Sequence, residues 1–403
     1  MAADIASVDA ALKETWTESR LAEQLYQKNP LLDKIKKLKT TQVGQQAVTP
    51  IHTGRNWGYT ATPANAGTLN TAGQQEIKQA TWQYTHHHTQ VRIEGSAIDG
   101  TRGDALSVAE VVDMEVEGAL TDLNRQLTRQ LFMDGDALVA QCGTTTASTT
   151  VVLNVAGGFN AIERGWLAPG AVIDVGTTAS ETAVAADRSV VSVVESPTAP
   201  TFVISGAAVT TSSSHYISLQ NSRSGATSYE MNGLGNVVST SATLGGVAPA
   251  SVPSWASPSV DTTSQALTLP LMYTACRKVF QKTGKDPNYV ATSPKQLQAA
   301  YALAQAQVRF HSDNVSFGNV EGTDINGMKL YRHPDCKNED MFFLTVEDLL
   351  LVSAGDPFWQ NKIAGANILN WIQGTDQYGA KITVRLNLGA RRRNSHAALR
   401  GLT

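Results

Sequence analysis

The stretch that most constrains this chain runs from residue 104 to residue 134 and has the pattern of one long helix. Apolar residues recur at Leu106, Ala109, Val112, Val116, Leu120, Leu123, Leu127 and Leu131, so the gaps alternate between three and four. Asp104 can cap the start, and Ser107 with Glu110 three residues on forms a capping box. Acids Asp113, Glu115 and Glu117 lie early, Arg125 and Arg129 lie late, and Gly135 ends the run. At 1.5 Å per residue the rod spans roughly 40–45 Å. A single apolar stripe on a rod that long predicts a backbone against which separate pieces pack.

The rest of the chain must supply those pieces. Residues 1–29 carry a helical pattern (Val8, Leu12, Trp16, Leu21, Leu25) that stops at Asn29-Pro30. A basic segment follows, with Lys34, Lys36, Lys37 and Lys39, for which contact with nucleic acid or an acidic partner competes with a solvated helix face. Residues 43–51 read as extended, and 54–73 are rich in Gly, Ala, Thr and Asn. A long strand over 77–93 then places Trp82, Tyr84, His86 and His88 on one face by alternation. Together these make a two-stranded arm with a flexible tip, marginal in water unless it lies on a neighbour. The triplet His86-His87-His88 lacks a Cys, Asp or Glu at ligand spacing, so it reads as a polar strand surface.

Beyond the rod, residues 143–150 are a Thr/Ser loop. Short β runs follow at 151–155, 172–175, 189–194, 201–204 and 216–219, spaced as in a small barrel or sandwich. Gly233 and Gly235 resemble a fragment of a phosphate loop, but no Lys-Ser/Thr pair follows. Residues 240–266 read as loop. From Leu267 the texture becomes α/β: a helix over 269–280 ended by Gly284, a strand at 288–291, and a helix opened by Ser293-Pro294. Strands follow at 327–332, 341–344, 349–352 and 381–388. Arg391, Arg392 and Arg393 read as a surface or intersubunit patch.

Composition narrows the function. Net charge is −3, so bulk attraction to nucleic acid is not implied. Charged residues make up 17 % of the chain, below the usual value of about 25 %, which favours a β-rich protein burying surface against partners. Cys142, Cys276 and Cys336 are odd in number and far apart, so neither a disulfide framework nor a zinc knuckle is visible. No secretory signal pattern and no stretch of ~20 apolar residues occurs. No Ser/His/Asp set, paired carboxylates or metal constellation stands at credible spacing, so the expectation is a non-enzyme without cofactors.

The order of these elements resembles the Hong Kong 97 capsid fold of tailed-bacteriophage major capsid proteins. The resemblance rests on the arm, the rod, the Tyr229–Ser239 segment and the Val290-Ala291-Thr292-Ser293-Pro294 turn. It implies an α+β fold with an N-terminal arm (1–42), an extended E-loop (43–98), a spine helix with the peripheral domain (99–142) and an inserted barrel-like β domain (143–228). A return to the peripheral domain (229–264), an axial domain (265–375) and a C-terminal strand and tail going back to the peripheral domain (376–403) complete the map. The implied function is self-assembly into hexamers and pentamers of an icosahedral phage head enclosing double-stranded DNA, with an encapsulin-like compartment as the alternative. Implied partners are other copies of the chain, a separate scaffolding protein, a portal protein, a decoration protein and DNA held non-specifically, with no membrane. The implied location is the virion capsid, assembled in the host cytoplasm. Interface residues would be Arg55, Trp57, Tyr59, Trp82 and Tyr84, and Lys34, Lys36, Lys37 or Lys39 would face DNA. The tip lacks the loop lysine that the type member of the fold uses for a covalent crosslink.

Overall fold

The computed structural model describes residues 30–39, 46–62, 67–96, 105–155, 160–305, 323–325, 328–354, 358–359 and 369–403. The helical pattern expected over 1–29 lies outside them. The spine helix spans Ala105–Phe132, about 42 Å at 1.5 Å per residue. Among its described side chains, Leu123, Leu127 and Leu131 of the apolar stripe are buried together with Ala119, and Leu120 is half-buried. Gly135 follows with φ +76°, and a Cβ there would meet the Asn232 backbone at 3.1 Å, so the turn favours glycine twice over.

The spine packs on a sheet built around the strand Gln377–Ala390. That strand pairs antiparallel with Thr85–Glu94 over residues 377–386 and with Leu349–Ser353 over residues 386–390. Lys36–Lys39 adds to the far edge, parallel to Leu349–Ser353. Val91, Ile93, Leu349, Leu351, Leu386 and Leu388 share one core with the helix.

A second sheet has the order Val260–Gln265, Ala397–Leu402, Met341–Leu344, Tyr289–Thr292, Met328–Arg332, Thr323–Ile325. The helices Leu269–Thr283 and Pro294–Gln305 belong to this half. Thr268 caps the first, accepting from the Leu271 amide, and Gly284 ends it in the left-handed region. Ser293 Oγ accepts from the Gln296 amide at the start of the second.

The third unit is a closed barrel of six strands, from Ala140–Cys142 to Tyr216–Leu219. Val151, Leu153, Ile173, Val175, Phe202 and Ile217 are buried in a core of their own. Closing the sheet on this core removes its edges.

Several expectations need correction. The strand expected over 77–93 is two strands, Glu76–Gln83 and Thr85–Glu94, with different partners: the first pairs with Gln46–Gly54, the second with Gln377–Ala390. Tyr84 sits between the ladders, and one residue out of register inverts the alternation. Trp82 is buried while His86 and His88 are exposed, so they do not share a face. The loop expected over 143–150 contains the strand Thr145–Ser148, and the loop expected over 240–266 contains Val260–Gln265. Strand pairing also cuts across the expected axial and C-terminal limits. Leu349–Ser353 lies in the spine sheet, and the last strand, Ala397–Leu402, returns to the second sheet. Arg393 is no surface residue. It is fully buried, and its guanidinium donates to the carbonyls of Asn236, Val237 and Ala242, satisfying the end of the short helix Leu234–Val237.

Candidate intersubunit interface

The arm is the hairpin Gln46–Gly54 with Glu76–Gln83 and the segment joining them. Its root is held on several sides. Trp82 is 1 % exposed, donates from Nε1 to Thr49 Oγ1 at 3.1 Å, and lies against Gly389, where an added Cβ would come within 2.9 Å of the ring. The Gly245 carbonyl accepts from the Thr81 amide, Ser254 Oγ donates to the Thr53 carbonyl, and Asn387 Nδ2 donates to the Gln83 carbonyl at the strand break. Trp82 is therefore core of its own subunit, and its ring is not available to a neighbour. Tyr84 is half-buried against the same core.

The outer part of the arm is different. Trp57, Tyr59 and Leu69 are 83 %, 84 % and 77 % exposed, and Val48 and Ile77 add apolar surface farther in. Five of the eleven exposed large apolar side chains among the described residues thus sit on this one arm. The tip still has local order. Asn56 Oδ1 accepts from the Gly58 amide, Thr60 Oγ1 accepts from the Asn70 amide, and Asn70 Nδ2 donates to the Tyr59 carbonyl. Gly73 lets the two sides close, since a Cβ there would meet Asn56 Oδ1 at 2.7 Å and the Trp57 amide at 3.0 Å. Arg55 is exposed beside them.

Of the lysines, Lys34 places its ammonium over the rings of Tyr331 (4.2 Å) and Tyr289 (5.1 Å), a cation–π contact that fastens the basic segment to the second sheet. Lys36, Lys37 and Lys39 lie on the edge strand Lys36–Lys39. The histidine triplet divides. His86 and His88 face out, and His87 is turned in. Burial, with the charges of His88, Arg129 and His86, pushes the His87 pKa down to about 4. No group of His, Cys, Asp or Glu able to hold a metal occurs among the described residues.

Sequence reasoning missed a polar junction joining the three units. From the barrel, Trp166 Nε1 donates to Asp335 Oδ1 at 2.9 Å, and Arg164 donates to the Cys336 carbonyl and Asn338 Oδ1. From the spine, Arg125 donates to the Arg164 carbonyl, Arg129 pairs with buried Glu230, and Asp134 accepts from Lys337 and Arg400. Burial works against ionisation of Asp134, yet Lys337 and Arg400 outweigh it and hold its pKa below the usual carboxylate value. Asp340 lies deeper, and burial raises it to about 6. The residues come from positions up to 266 apart, so only pairing across the fold reveals them. Gly233 and Gly235 owe their identity to this junction. A Cβ at either would strike Met133 O or Asp134 Oδ1 at the end of the spine, which replaces the phosphate-loop resemblance with a packing reason.

Comparison with known proteins bears on what such an arm is for. A family model described as SU10 major capsid protein matches residues 213–402. No curated protein matches the chain. Among solved structures, the Cyanophage A-1(L) capsid asymmetric unit aligns with a TM-score of 0.57 at 13 % identity, over 98 % of this chain and 99 % of that one. The capsid of a native GTA particle aligns with a TM-score of 0.52 at 8 % identity, over 99 % and 98 %. At these identities the likeness is one of fold.

Proposed function

We infer that the chain is a tailed-phage major capsid protein with the Hong Kong 97-type fold, a structural subunit that self-associates into the virion shell. The observation that carries the reading is the arm, which is anchored within its own subunit and presents its apolar tip to solvent. A closed shell of identical chains needs heterologous contacts, with one patch reaching and another receiving. The family match over 213–402 favours a phage shell over a cargo-holding encapsulin-like compartment.

In finer detail, the chain forms hexamers and pentamers around packaged double-stranded DNA. Trp57, Tyr59 and Arg55 dock the tip on a neighbour, supported by their exposure and by the enrichment of aromatics and arginine at interface hot spots. Lys36, Lys37 and Lys39 make phosphate contacts without reading bases. In the cell a scaffolding protein and a portal protein guide assembly, neither being required for the chain itself to self-associate into shells, and the barrel offers a site for a decoration protein. The lattice is held without covalent joining: Lys78 lies on the arm strand Glu76–Gln83 rather than at the tip, and it is ion-paired with Glu76 at 3.3 Å. Weak contacts then add by multivalency.

Electron microscopy of the purified chain tests the reading, with closed shells expected. Deleting residues 55–72 should leave a folded chain that forms none. Monodisperse small particles from the intact chain would overturn the capsid role.

A further inference from the structure

At the root of the arm, four segments converge on a cavity of about 710 Å³. They are the outgoing arm strand, the turn at Ser254, the end of the helix Leu269–Thr283, and the turn after Ala390. Arg55, Lys282, Arg391 and Arg392 line it against a single carboxylate, Asp348, so four positive charges face one negative and leave a net +3. None of the four makes an ion pair among the described residues. Lys282 Nζ donates only to the Ala256 carbonyl, and Arg391 uses its backbone amide, not its guanidinium, on the Asp348 carbonyl. Such a concentration of cations on a chain of net charge −3 needs an anion to complete it.

Resting on the self-association just described, we propose that this basic cleft receives the acidic face of the spine helix from a second copy of the chain. Between residues 104 and 124 there are six acids, Asp104, Glu110, Asp113, Glu115, Glu117 and Asp122, and no lysine or arginine. Positions 110, 113 and 117 recur at three and four along the helix Ala105–Phe132 and so form one stripe about 10 Å long. Glu117 is exposed, on the side of the helix away from buried Ala119 and Leu123. Neither Glu115 nor Glu117 has an ion-pair partner among the described residues, and the same holds for the cations of the cleft.

A carboxylate-rich helix suits the cleft better than nucleic acid does. Bases would need an aromatic face to stack on, and the one tryptophan in the lining, Trp255, is 2 % exposed with its Nε1 committed to the Leu244 carbonyl. Burial and neighbouring Lys278 already lower the Lys282 pKa, a strain that an incoming carboxylate relieves.

The experiment is a charge swap in the full-length chain, read by sedimentation and electron microscopy, with circular dichroism confirming the fold. Arg391→Glu with Arg392→Glu should cut shell yield about tenfold or more, because like charges now face each other. Glu110→Lys, Asp113→Lys and Glu117→Lys together should do the same. Both sets in one chain should bring the yield back to within about twofold of the original, since the opposition of charge is restored. Undiminished assembly of either set alone overturns the proposal, as does a combined variant no better than the poorer of the two. So does a DNA oligonucleotide that binds the original chain and is lost with the arginine set without rescue by the swap. Failure of the unaltered chain to form shells would count against the capsid role itself, a distinguishable result.

Discussion

The barrel and the arm are both rich in Thr, Ala and Gly, and reach opposite ends. In the barrel every strand finds two neighbours, and inward Val151, Ile173, Phe202 and Ile217 make a core that needs nothing from outside. In the arm two strands find only each other, and Ala47, Ile51, Ala80 and Trp82 bury only its root. Its apolar residues farther out, Trp57, Tyr59, Leu69 and Ile77, have nothing beneath them. A closed sheet satisfies its own edges, whereas an open hairpin hands the task to another molecule. On the proposed reading, the barrel serves the subunit and the arm serves the lattice.

Substitution at the arm root breaks this comparison most forcefully. Trp82→Ala removes a buried ring from the main core and the hydrogen bond to Thr49, and should cost about 3–5 kcal/mol. The check is urea unfolding of the unassembled chain. A loss below ~1 kcal/mol would mean that the root is not part of the core. Phe202→Ala should cost the barrel a similar ~3–5 kcal/mol. Here the loss should stay local, with faster amide exchange in the barrel strands and unchanged exchange in Leu386 and Leu388. Spread of the effect to the spine sheet would show that the polar junction, not the barrel core, sets barrel stability.

Acid should separate the same regions by a smaller amount. His87 and His333 are pushed down to about 4 and His396 to about 3, in each case chiefly by burial. A histidine kept neutral in the fold contributes stability that is present above its unfolded pKa of about 6.5 and lost as pH falls through the folded value. Asp340, raised to about 6, works the other way, contributing stability at low pH that is lost as pH rises through about 6. Burial also raises Asp122, Asp136 and Asp335, but the three strongly lowered histidines outweigh these carboxylates, so the two sheet-bearing halves should weaken between about pH 6.5 and 4. The barrel has no histidine among its buried residues and should hold longer. Exchange rates measured at about pH 7 and pH 4.5 test this; equal loosening of barrel and spine sheet would refute it.

Much of this architecture is legible in the residues alone. The spine, the barrel strands at 172–175, 201–204 and 216–219, and the cap-and-proline start at Ser293-Pro294 follow from periodicity and local chemistry, which act within a few residues. What is not legible depends on distant partners. Nothing near Tyr84 announces that the strand changes neighbours there, because the reason is Asn387 and the strand after Gln377. Arg393 looks like its exposed neighbours Arg391 and Arg392 until the carbonyls at 236, 237 and 242 are brought to it. Trp82 and Trp57 are both arm tryptophans, and only three-dimensional packing tells the buried one from the exposed one.

That pair supplies the smallest effect on the subunit and the sharpest form of the comparison. Trp57 is 83 % exposed and Tyr59 84 %, and Trp57 contributes only its backbone to the local order of the tip. Trp57→Ser with Tyr59→Ser should therefore change the unfolding free energy of the unassembled chain by no more than about 0.5 kcal/mol, as for surface substitutions away from packed or capped sites. In assembly the same change removes aromatic anchors from every arm in the lattice, and small losses multiply over many copies. The concentration needed for shells to form should rise by an order of magnitude or more, measured by light scattering against chain concentration. A variant that unfolds more easily would place the tip within the subunit's own core. One that assembles at the original concentration would leave the arm's contacts to Val48, Ile77 and the charged groups at its root.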